Sequence, residues 1–132
     1  MKKSMLRNQK GFTLIEIIAV LVILGILAAV AIPRYFDLME ESRNNAANSA
    51  IAEVQARASN TYASNLLNRE TPTCSTVLTS VSEGLVTNPL GDFSANLGAC
   101  AGSPEKFTIT VTHVKGKDLD TDQSGSWVFP VQ

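Results

Sequence analysis

The feature that most constrains this chain is an apolar run, FTLIEIIAVLVILGILAAVAI, from Phe12 to Ile32, in which Glu16 is the one ionisable side chain. As a helix these 21 residues span ~30 Å at ~1.5 Å per residue, the thickness of a bilayer hydrocarbon core. Lys2, Lys3, Arg7 and Lys10 precede the run and no acidic residue does. That asymmetry places the N-terminus in the cytoplasm and everything after Ile32 outside. The AAVAI stretch also resembles a secretory cleavage site near Ala31. Glu16 inside the run, and the lack of polar residues up to Pro33, argue against that alternative.

Pro33 follows directly, and a helix-interior proline removes a backbone donor and crowds the preceding turn, so a kink is expected there. The helical pattern resumes with Tyr35, Leu38, Met39, Ala46, Ala50, Val54, Ala58, Tyr62 and Leu66 at three- and four-residue steps. Arg34, Glu40, Glu41, Arg43, Glu53 and Arg57 take other positions, which makes an amphipathic half-helix ending near Asn68. The two stretches together predict a helix of ~55 residues and ~80 Å, longer than a compact 132-residue domain encloses. One half must project from the fold.

Beyond Glu70 the composition shifts to Thr, Ser, Gly, Pro and Asn, and residues 71–105 read as loop with short apolar pieces around Val77, Leu78, Val81, Leu85 and Val86. The tail is clearer. KFTITVTHV alternates Phe107, Ile109, Val111 and His113 against threonines, and WVFPV supplies a second β-prone run after a Gly- and Asp-rich connection. The expected class is α+β, with a long N-terminal helix, transmembrane and kinked at Pro33, packed on an antiparallel sheet of three or four strands. Four parts follow from this reading: a leader at 1–11, a hydrophobic helix at 12–32, an amphipathic half-helix at 33–68 and a small β head at 69–132.

Formal net charge is −1, but removing the four basic residues of the leader leaves seven against twelve acidic ones, a charge of −5. Such a balance argues against direct nucleic-acid binding by the subunit, since phosphate neutralisation needs clustered Lys and Arg. Cys74 and Cys100 make an even pair in an exported chain and read as a disulfide. The bridge would close a 27-residue loop and contribute ~3.5 kcal/mol in the chain-entropy model.

Lys10, Gly11, Phe12, Thr13, Leu14, Ile15 and Glu16 spell KGFTLIE, and here the chain resembles type IV prepilins and the related pseudopilins of type II secretion. The resemblance combines a basic leader, a glycine, an aromatic residue, a glutamate four residues later and an apolar helix. It implies that a prepilin peptidase cuts after Gly11 and that the new N-terminus, Phe12, is methylated. It further implies that Gly25 and Pro33 match the helix-breaking glycine and proline of a filament core. Its firm part covers residues 10 to 40.

Each element has a physical reason. Gly11 offers no side chain where a protease must bring its groups against an extended backbone. Glu16 is a carboxylate in a membrane helix, a costly placement that usually marks function. Cleavage would create its partner, since the freed amine of Phe12 is cationic at neutral pH. Within the membrane that pair forms inside one chain; in a filament it forms between neighbours and sets axial register. Gly25, Ala28, Ala29 and Ala31 allow close helix approach.

Asp118, Asp120 and Asp122 alternate as calcium loops do, but an EF-hand would need glycine at Gln123 and glutamate at Phe129. Read from the residues, this stretch is a solvated hairpin turn; resemblance to the major pseudopilins implies instead a looser calcium loop. His113, the sole histidine, reads as a surface residue. No nucleophile with its base, phosphate loop or metal-ligand spacing is present, so neither an enzyme nor a cofactor is expected.

The resemblance implies a homopolymer of identical subunits, a platform membrane protein and a motor ATPase as partners. It places the chain in the inner membrane before assembly and in a surface pilus afterwards, serving adhesion, twitching motility or DNA uptake. Two alternatives stand beside this: a major pseudopilin, and a membrane-tethered binding module that never polymerises.

Overall fold

A computed structural model describes residues 11–87 and 89–130. The leader residues before Gly11, with Lys2, Lys3, Arg7 and Lys10, and the end of the WVFPV run at Val131, lie outside the described residues. The elements run α1 (Leu14–Leu67), α2 (Cys74–Thr87), β1 (Phe93–Leu97), β2 (Lys106–Val114) and β3 (Lys117–Val128). The strands form one antiparallel sheet in the order β1-β2-β3. The class is α+β, with a long N-terminal helix and a small three-stranded sheet.

Contacts divide the chain into two units, one ending at Leu38 and one beginning at Met39. Among the described residues of the first unit every side chain is exposed. The second unit, the head, holds the core. Pro33 lies inside α1, which continues on both sides of it, and the helix ends at Leu67, one residue short of expectation.

The inward face of α1 in the head is Ala47, Ala50, Ile51, Val54 and Ala58, at helical three- and four-residue steps. Of the stripe expected from sequence, Ala50, Val54 and Ala58 are buried and Ala46 and Tyr62 are partly so. Tyr35 and Leu38 are exposed because they precede the packed unit. Small residues on both sides bring helix and sheet close. A Cβ on Gly125 of β3 would sit 2.6 Å from Ile51 Cγ2, so a larger residue there would force the two apart. Gln55 Nε2 donates to the Ser126 carbonyl at 2.9 Å, and Trp127 Nε1 to Ser59 Oγ at 3.0 Å, which fixes β3 along the helix.

Strand β2 has the boundaries that its alternation predicts, with Phe107, Ile109 and Val111 fully buried. A bulge between Val111 and His113 then shifts the register, so Val114 faces inward in place of His113. His113 stays half exposed between Thr112 Oγ1 and Asp118 Oδ1.

Three readings of the sequence are corrected. Residues 74–87, taken as loop, are helix α2, which buries Cys74, Val77 and Val81 on one face. Thr73 caps it: Thr76 N donates to Thr73 Oγ1 at 3.2 Å and Thr73 N donates to Thr76 Oγ1 at 2.9 Å. Residues 93–97, also taken as loop, are strand β1. The aspartate stretch is not a hairpin connection but the first half of β3. The turn itself is only Lys115 and Gly116, both at positive φ, as a tight two-residue hairpin requires.

Candidate assembly segment

The residues singled out from sequence fall in two places. Gly11, Phe12, Glu16, Gly25 and Pro33 lie in the first unit, and Cys74 and Cys100 lie in the head, where they are joined as a disulfide. That bridge ties the start of α2, with Cys74 buried, to the loop between β1 and β2.

At the start of the segment Gly11 is exposed and non-helical, and Phe12 is 84% exposed. Thr13 then serves as N-cap. Thr13 N donates to Glu16 Oε2 at 2.7 Å, Thr13 Oγ1 donates to the same oxygen at 2.8 Å, and Glu16 N donates to Thr13 Oγ1 at 3.3 Å. This is a capping box, which satisfies backbone donors that the first turn of any helix leaves free and sets a negative charge at its positive end. Sequence reasoning on Glu16 looked only to the Phe12 amine and missed Thr13, although Thr13-x-x-Glu16 before an apolar run is the signature of such a box. Both side-chain bonds use Oε2, which leaves Oε1 without a partner among the described residues.

After the cap, α1 presents Ile, Leu and Val on every side; it is long and apolar enough to cross a membrane. A helix apolar all round needs lipid or other helices about it. Nothing lies within 4 Å of a Cβ built on Gly25, so that position is open to a close neighbour.

Asp118, Asp120 and Asp122 are all exposed along β3, and Asp118 is engaged with His113. Among the described residues no group of three or more metal-binding side chains converges.

A capped, exposed, all-round apolar helix leading into a small α+β head defines a protein whose N-terminal segment needs lipid or other helices about it. Residues 6–32 match the family described as a prokaryotic N-terminal methylation motif. The chain is similar to the type IV narrow pilus major component PilA5 of Thermus thermophilus, with 35% identity over 104 residues, 76% of this chain and 86% of that protein. It is similar over shorter stretches to the type IV major alpha-pilin of Moraxella bovis, 48% identical over 44 residues, 33% of this chain and 28% of that one. The type II secretion system core protein G of Pseudomonas aeruginosa is 44% identical over 50 residues, 38% of this chain and 35% of that one. No solved structure matches. The chain belongs to the type IV pilin and pseudopilin family.

Proposed function

We propose that this chain is a structural subunit of a type IV pilus. In this reading residues 1–11 are a leader removed by a prepilin peptidase after Gly11, and Phe12 becomes the methylated N-terminus. Residues 12–32 first hold the subunit in the inner membrane and then line a filament core beside identical copies. Residues 33–68 support the head formed with 69–132, which faces solvent. A platform protein and a motor ATPase drive assembly, and the filament serves adhesion, twitching motility or DNA uptake rather than catalysis.

The observation that carries this reading is the match to a pilus major component along 86% of that protein's length and 76% of this chain, too long to be confined to the apolar segment. The free Oε1 of Glu16 supports the assembly step. One carboxylate can cap its own helix through Oε2 and still accept a bond from the amine of a neighbour's Phe12. The second reading, a major pseudopilin, is favoured by the match to core protein G, which is confined to 50 residues.

Electron microscopy of sheared surface material, with intact-mass measurement of its subunit, tests the proposal. Long external fibres built from a chain that begins at methylated Phe12 are expected. Fibres absent from the surface while the mature chain accumulates in the cell envelope would select the pseudopilin. Gly11→Val is expected to leave only full-length precursor in the membrane, and normal maturation of that variant would defeat the processing step.

A further inference from the structure

The two edges of the sheet differ in how they are guarded. Strand β3 lies at one edge, with Asp118, Asp120 and Asp122 exposed along it, and its Ser126 carbonyl accepts a bond from Gln55 of α1 at 2.9 Å. Charges along an edge discourage an incoming strand. Strand β1 lies at the other edge, and its five residues, FSANL, carry no charge.

Bonds at the two ends of β1 fix which way its backbone points. Gly98 N donates to the Thr108 carbonyl at 2.8 Å and Lys115 N to the Asp92 carbonyl at 2.7 Å, so Gly98 and Asp92 face β2. Direction alternates from residue to residue in an antiparallel pair. Counted inward from either end, Ser94 and Asn96 face β2, and Phe93, Ala95 and Leu97 turn their N–H and C=O away from it. The two counts agree because the extra residue of the bulge, Thr112, belongs to β2: Ser94 pairs with His113 and Ala95 with Val111. Among the described residues nothing but β2 bonds the backbone of this strand.

The free edge borders an open cleft of about 450 Å³, walled by Leu85 and Val86 at the end of α2 and by Pro89 and Leu90 after it. None of its described lining residues is charged, and Val86 is 84% exposed. Along β1 the side chains of Phe93, Ala95 and Leu97 are half-buried against the core, and those of Ser94 and Asn96 are exposed.

We infer that this edge and its cleft receive an extended peptide segment of another protein, uncharged and apolar at every second residue, which adds to the sheet as a fourth, antiparallel strand. A row of free donors and acceptors recognises backbone, which an extended chain supplies in the matching repeat. The apolar side chains of that segment continue the face of Phe93, Ala95 and Leu97 beside Leu85 and Val86, and its polar ones continue the face of Ser94 and Asn96. A charged segment would bury its charges against a lining that offers them no partner. The contact involves the head alone and does not depend on the polymer reading above.

Titration of the full-length chain in detergent micelles with a capped heptapeptide of alternating serine and valine, read by amide hydrogen exchange, tests it. Without peptide the amides of Phe93, Ala95 and Leu97 are expected to exchange fast, and saturating peptide to slow them by about tenfold or more. Those of Ser94 and Asn96 should be slow throughout. The same peptide N-methylated at its valines lacks the donors that meet β1 and is expected not to bind. Ala95→Pro removes a donor that the β2 ladder does not use, and Val86→Lys puts a charge in the cleft; each should weaken binding by about tenfold or more while the melting of the head is unchanged.

No binding of the unmethylated peptide at millimolar concentration overturns the inference. So does equal binding of the N-methylated peptide, a control that holds even if proline disturbs the fold. Amides of Phe93, Ala95 and Leu97 that are slow without peptide and become fast on dilution would give the edge to a second copy, and would likewise overturn it.

Discussion

Between Leu14 and Leu38 helix α1 is dominated by large apolar residues and buries none of them, whereas between Ala47 and Ala58 it buries five residues, three of them alanine. The more hydrophobic stretch is the exposed one. Apolar character reports what a segment must eventually contact, and packing within the chain reports whether that contact is made by the chain itself. The head is complete on its own terms: among the described residues all fourteen buried hydrophobics, from Ala47 to Trp127, belong to it. Among the described residues the first unit buries no side chain, and the cover its apolar surface needs comes from lipid or from other chains.

The strongest attempt to break this contrast is to separate the two regions. A fragment beginning at Met39 is expected to be soluble and to melt cooperatively by circular dichroism, because no buried side chain is lost with the segment. A fragment that aggregates or lacks a transition would show that the head depends on the helix before it. Phe107→Ala removes the largest fully buried side chain and should destabilise the head by about 3–5 kcal/mol in urea titration. Replacing Cys74 and Cys100 together by serine should cost ~3.5 kcal/mol by the same titration, from the loop entropy returned to the unfolded chain.

Smaller effects sharpen the boundary. Thr73→Ala removes the cap of α2 and is expected to lower stability by about 1 kcal/mol. Glu16→Ala should leave the melting of the head unchanged, since its bonds are confined to Thr13. Under the proposed function the same substitution should permit cleavage yet strongly reduce fibre in sheared preparations. Abundant Glu16→Ala fibres would remove the register role of the carboxylate.

Local pattern carried much of this molecule. The apolar run and its lone glutamate, the amphipathic continuation of α1 and the boundaries of β2 follow from periodicities that survive without knowledge of any partner, and the cysteine pair follows from its compartment. Helix α2 was legible too, in the spacing of Cys74, Val77, Val81 and Leu85 behind a Thr73-x-x-Thr76 cap, but its threonines and serines weighed towards loop. Residue type is a weak prior where one face of a helix is satisfied by the core.

What only the tertiary structure decided is where chain distant in sequence meets. The bulge that turns His113 aside, the fit of Gly125 against Ile51 and the bond from Trp127 to Ser59 join residues far apart in the chain or register strand on strand. Such meetings are set by the closure of the sheet on the helix, an energy shared among many contacts, and no single stretch of sequence encodes them.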